Sequence, residues 1–205
     1  NLKLQRENIQ KILDRGLEQT ARLLLEPIET HERQQALLLR GTIQRRLGKH
    51  TDSETSFAKV LDLVDSQDSA PPEIRLAYLQ ALIGRTQVEL SSGKLEAARS
   101  TLNRIESTEN LPAIISFLAA QRIQDLLTRT LKQIQQNTNT TITRLETLRR
   151  PRSEIEQVQE TSANETHRHT QELRKRAAQL FWNAATQADP TDEDSMRRDA
   201  AWEAS

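Results

Sequence analysis

The chain has 205 residues, 35% of them hydrophobic and 3% aromatic, so it can form one or two domains but only around a lean core. Its 29 Lys and Arg balance 29 Asp and Glu, which removes the general basic footprint of a nucleic-acid or anionic-membrane binder. It has no cysteine, which excludes a disulfide framework, a thiol nucleophile and a thiolate-held metal.

Leu, Gln, Arg, Glu, Thr and Ala dominate and β-branched runs are missing, so the expected class is all-α. In chain order, Leu4, Ile9 and Ile12 predict a first helix stopped near Asp14-Arg15-Gly16. A second helix follows over Glu18–Ile28, with Ala21, Leu24, Leu25 and Ile28 on one face. Thr30 can cap a third helix from His31 to Leu47, which Gly48 terminates. Thr51 or Asp52 can cap a fourth that carries Phe57, Val60, Leu61 and Val64. Asp65 to Pro72 reads as a polar loop. A fifth helix is expected over Glu73–Ser91, a stop at Gly93, and a sixth helix over Leu95–Ile105.

Beyond Pro112 the pattern changes, and no glycine occurs after Gly93. Leu111 to Arg150 predicts one long helix in which Leu127, Leu131, Ile134, Thr138, Thr141, Leu145 and Leu148 form a heptad seam, polar at its middle. Gln135 to Thr141 is rich in poor helix formers, and Pro151 breaks or kinks the helix. A more polar helix marked by Ile155, Val158, Leu173, Ala177, Leu180, Phe181 and Ala184 continues to about Ala188. Asp189-Pro190-Thr191-Asp192 reads as a turn and cap before a short helix over Glu193–Trp202. The longest apolar stretch, Leu111 to Ala120, is shorter than the ~20 residues a bilayer-spanning helix needs. The sequence begins at Asn1 rather than Met, so a processed or trimmed N-terminus is expected and the compartment stays open.

The strongest signal is internal repetition. Gln35-Ala36-Leu37-Leu38-Leu39-Arg40 returns as Gln80-Ala81-Leu82-Ile83-Gly84-Arg85, an offset of 45 that also relates Gly48-Lys49 to Gly93-Lys94, Ser53 to Ala98, Phe57 to Leu102 and Val60 to Ile105. At an offset of 32, Gly16, Ala21, Leu25 and Ile28 stand where Gly48, Ser53, Phe57 and Val60 stand. Periods of this size predict stacked helix pairs rather than one enzyme domain. With Ala36-Leu37-Leu38, Gly41, Leu47-Gly48-Lys49-His50, Ser53, Phe57 and Val60-Leu61, the unit resembles the tetratricopeptide repeat, as does the unit at Leu82, Gly93, Ala98, Leu102 and Ile105. It departs from that family in having Leu for most aromatic anchors, Ser53 and Val60 for the usual Ala, and no closing Pro.

The resemblance covers roughly residues 2–107 and implies a tetratricopeptide-like α-solenoid of antiparallel helix pairs. Residues 111–205 would then supply long helices, as a cap or a coiled-coil hairpin broken near Pro151. Such repeats bind a protein or peptide segment on a concave face, which here would present Gln35, Leu38, Thr42, Arg45 and Arg46, followed by Gln80, Ile83, Gln87 and Leu90. Members that hold a chaperone's C-terminal carboxylate use a Lys/Asn/Arg clamp; Leu38, Thr42 and Gln80 occupy the matching places, so that clamp is absent.

Catalytic signatures are missing: there is no GxSxG, Walker A, GxGxxG or HExxH. Asp62, Asp65 and Asp68 lie in or beside a loop and read as solvated. His167 and His169 near Glu165 and Glu172 do not make a metal site, because i and i+2 diverge around a helix and Glu165 with His169 is only a pair. Arg144, Arg149, Arg150 and Arg152 are interleaved with Glu146, Glu154 and Glu156, which argues against phosphate binding. Asn139-Thr140-Thr141 and Asn164-Glu165-Thr166 match the glycosylation pattern incidentally in a chain rich in Asn and Thr. Trp182 beside Phe181 suits either an interface anchor or packing on the long helix. The expectation is a non-enzymatic adaptor without cofactor or metal, binding a protein segment in its groove. The alternative is an assembly component, for instance of an envelope or secretion complex, that forms a homodimer through residues 127–148.

Overall fold

Two tight turns organise the first half of the chain. At the end of the helix Thr30–Arg46 (α2), the Lys49 N–H donates to Gln44 O at 2.9 Å and the Gly48 N–H to Arg45 O at 3.0 Å. At the end of Pro72–Ser91 (α4), the Lys94 N–H donates to Glu89 O at 2.8 Å and the Gly93 N–H to Leu90 O at 3.1 Å. Both glycines have φ of 73°, a left-handed conformation that closes the helix by satisfying its last carbonyls. Each turn hands the chain directly to the next helix, His50–Asp62 (α3) or Leu95–Glu106 (α5). The caps therefore fall on Glu29 and Lys49, and Thr30 and Thr51 lie inside the first turns instead. At α2 the Glu29 N–H donates to the Glu32 carboxylate at 3.3 Å.

The computed structural model describes residues 2–25, 29–63 and 71–187, which contain seven helices and no strand. They fall into two units, Asn1–Glu109 and Asn110–Ser205. Residues 65–70 of the expected Asp65–Pro72 loop, the Asp189–Asp192 turn, the 193–202 helix and the residues Ile28, Val64 and Trp202 lie outside the described residues, while Pro72 of that loop begins α4.

The first unit begins with one continuous helix, Leu2–Leu23 (α1), where a stop at Gly16 and a second helix were expected. Gly16 serves packing instead: a Cβ there would lie 2.7 Å from Ile43 Cδ1 of α2. The neighbouring residues are good helix formers, so nothing local forces a turn. The offset-32 correspondence consequently fails in space, since Leu25 is 88% exposed whereas its counterpart Phe57 is 1% exposed. The two pairs related by 45 residues are the ones whose turns coincide.

α2 packs against α1, α3 and α4, and α4 also packs against α3 and α5. Phe57 is the wedge among them. Its ring lies against the backbone at Gly41 of α2, where a Cβ would come within 2.8 Å, and at Gly84 of α4, where a Cβ would come within 2.4 Å. Around it gather Leu37, Leu38, Val60, Ala77, Ala81 and Val88. Glycine on both sides lets two helices close on one aromatic ring.

Among the buried polar residues of this unit, Gln34 of α2 stands out. Gln34 is 0% exposed, and neither its Oε1 nor its Nε2 has a hydrogen-bond partner among the described residues. A buried amide without partners costs about 1–3 kcal/mol, so Gln34→Leu is expected to raise the unfolding free energy in urea by about that amount.

The second unit is a helical hairpin of Ala113–Thr147 (α6) and Arg152–Gln187 (α7), turned at Leu148–Pro151. The turn repeats the bonding of the earlier ones, with the Arg150 N–H on Leu145 O at 3.0 Å and the Arg149 N–H on Glu146 O at 2.9 Å, but Arg149 occupies the left-handed position at φ 51°. The helices run antiparallel: Phe117 meets Phe181 edge-on at 5.7 Å, and the Thr138 and Ser162 hydroxyls lie 2.8 Å apart. Burial is confined to the end away from the turn. Ile115, Ser116, Ala119, Ala120, Ile123 and Leu126 on α6 are buried, as are Leu173, Ala177, Leu180, Phe181, Ala184 and Ala185 on α7. From Leu127 to Glu172 no residue is buried.

Candidate functional site

The partner-binding face expected from the sequence lies on α2 and α4, and its residues divide by burial. Gln35, Arg46 and Gln80 are exposed, and Thr42, Arg45 and Gln87 are half-buried. Leu38, Ile83 and Leu90 are buried and cannot present themselves to a partner. The accessible face therefore differs from the sequence-derived one at these three apolar positions. On α2 the open stripe runs Gln35, Leu39, Thr42, Arg46, with Leu39 53% exposed. Forty-five residues later the same positions are Gln80, Gly84, Gln87 and Ser91, of which Gly84 faces the Phe57 ring rather than solvent. This spacing of four, three and four keeps the residues on one side of a helix. The reason for the difference on α2 is that Leu38 joins the core around Phe57, which leaves its neighbour Leu39 outside.

The stripe is mainly amide and hydroxyl, with one exposed leucine and one arginine. The Thr42 hydroxyl is turned back onto Leu38 O at 2.9 Å. Such a surface can hydrogen-bond an extended chain or seat a small apolar side chain, but it offers no nucleophile and base pair.

The helix pairs are pinned internally by polar contacts that the sequence reading missed. The Ser56 hydroxyl donates to Gln44 Oε1 at 2.7 Å, and 45 residues on the Thr101 hydroxyl donates to Glu89 Oε2 at 2.9 Å. Gln44 and Glu89 are both buried. Arg85 completes the second contact, its Nε lying 2.9 Å from Glu89 Oε1. The signal was present as a hydroxyl residue 12 positions after a buried acceptor in both repeats. The Ser53 hydroxyl also donates to Gly41 O at 2.7 Å, which explains a polar small residue where the helices cross. Lys94 reaches Glu54 of α3 at 2.8 Å, a partly exposed pair of small energetic weight.

The chain matches no family model, no curated protein and no solved structure.

The remaining sequence candidates are ordinary in place. His169 approaches Glu172 at 4.0 Å, and among the described residues no group of three His, Cys, Asp or Glu could hold a metal ion. Arg150 and Arg152 pair with Glu154 and Glu156, each at 3.1 Å. Asp62 is exposed, while Asp65 and Asp68 fall outside the described residues. Trp182 is 60% exposed, whereas Phe181 beside it is buried. Among the described residues no helix is long and apolar enough to cross a membrane.

Proposed function

We propose that the chain is a non-enzymatic interaction protein whose first unit is a short tetratricopeptide-like array that holds a segment of a partner protein against α2 and α4. The observation that carries this reading is the structural identity of the two Gly turns, joined to the repeated hydroxyl bridge between the helices of each pair. Stacked pairs of one geometry place equivalent positions of α2 and α4 in line, and such surfaces bind peptides by repetition rather than by a pocket. Placing a photo-crosslinking amino acid at Gln35, Leu39 or Gln80 in the source cells tests it. A discrete protein adduct from these positions, absent when the probe stands at exposed Glu96 on α5, is the expected result. Equal adducts from all positions, or none from the stripe, remove the reading.

A second reading is favoured by one observation on the second unit. A two-helix hairpin with no buried residue from Leu127 to Glu172 leaves its seam half solvated on both edges. An assembly role through self-association would cover those edges with the hairpin of a second copy, as a four-helix bundle. The seam residues Ile134 and Thr138 already face Val158 and Ser162 of the same chain, so two hairpins, rather than two single helices, would pair. Light scattering over a concentration series checks this, with a dimer that Val158→Asp converts to monomer as the supporting result.

A further inference from the structure

On the side of α2 roughly 150° around the helix from the open stripe, a cleft of about 520 Å³ lies between α1 and α3. Its floor carries Gln44, bonded to Ser56, and its walls carry Arg40 and Lys59, with Leu24 and Leu25 as an apolar lip. Among the described residues neither Arg40 nor Lys59 has an ion-pair partner, and the cleft holds one carboxylate, Asp52, against two cations. The repeat shows what an arginine at this position engages. Arg85, 45 residues after Arg40, binds Glu89 at 2.9 Å, and Thr101 steadies that carboxylate from the other side. In the first pair the same place is taken by Gln44, a neutral amide, so the carboxylate that the repeat has at Glu89 is absent there. Arg40 and Ser56 thus stand as two of the three members of a carboxylate site whose third member is missing.

We propose that this cleft receives an acidic segment of a partner protein. A carboxylate side chain of the partner enters beside Arg40 and Lys59, and a neighbouring apolar side chain rests on Leu24 and the 88% exposed Leu25. A guanidinium beside a half-enclosed hydroxyl-lined wall favours a charge-assisted pair, and the leucines add apolar burial that a free anion would not use. The surface lies on the other side of α2 from the groove proposed above, so it would remain if that groove were empty.

The test is fluorescence anisotropy with the full chain and a labelled peptide alternating glutamate pairs with leucine, against the same peptide with glutamine for glutamate. The glutamate peptide is expected to bind and the glutamine peptide to bind at least about tenfold more weakly. Arg40→Gln and Lys59→Gln should each weaken binding, with Lys59 exposed enough that its loss does not threaten folding. Gln44→Glu is the decisive variant, because it supplies the internal carboxylate seen at Glu89 and should close the site while circular dichroism stays unchanged. Arg46→Gln, on the open stripe, should bind as the parent does. The proposal is overturned if the parent does not bind, if both peptides bind alike, or if Gln44→Glu binds as tightly as the parent.

Discussion

Phe57→Ala is expected to cost the first unit about 3–5 kcal/mol, enough to unfold much of it, and Gly84→Ala is expected to reverse sign in that background. In the parent, a methyl at Gly84 would lie 2.4 Å from Phe57 Cζ. The ring has nowhere to retreat, because the backbone at Gly41 confines it from the other side. Overpacking of this kind costs about 1–3 kcal/mol and outweighs the gain of about 1 kcal/mol in helix propensity that alanine brings. Once Phe57 is alanine the space is vacant, and only the propensity gain remains. Urea unfolding of the two single variants and the double variant would show a coupling larger than the measurement error. Additive effects would mean that the ring does not separate α2 from α4.

The parts of this fold that were legible in the sequence are those where local chemistry and tertiary demand agree. Gly48 and Gly93 end helices because a left-handed residue is needed there, and each lies between an apolar helical stretch and a second one. Gly16 has the same local appearance but a different cause, a close approach to Ile43, and only the folded chain distinguishes a glycine that turns from one that admits a neighbour. On α2 the exposed positions differ from the partner-binding face expected from the sequence at the pair Leu38 and Leu39. Both are leucines at adjacent positions, which periodicity alone cannot assign to inside and outside when α2 is covered on three sides. The antiparallel pairing of the long helices was legible as one of two options, since a heptad seam does not reveal whether its partner is in the same chain.

Those long helices also define where the second unit should fail first. Phe181→Ala removes a ring that is 1% exposed and set edge-on against Phe117 at 67°, a loss of about 3–5 kcal/mol at the buried end of the hairpin. The consequence should spread well beyond the site. The half next to the turn has no buried residue, and its middle holds Asn137, Thr138, Asn139, Thr140 and Thr141, poor helix formers. The hydroxyls of Thr138, Thr140 and Thr141 return to the carbonyls four residues back, at 2.8, 2.9 and 2.9 Å, bonds that add no tertiary contact, and of the three Thr138 also reaches Ser162 across the hairpin. Helices lacking a packed face are marginal in water, so residues 127–172 hold their form by extension from the packed end. Hydrogen exchange is therefore expected to be fastest near the turn in the parent, and in Phe181→Ala to become fast throughout α6 and α7, while Thr141→Ala leaves the pattern nearly unchanged. If the segment 127–172 keeps its protection in Phe181→Ala, its stability does not come from the Phe117–Phe181 end, and contacts with a second hairpin become the physical source that remains.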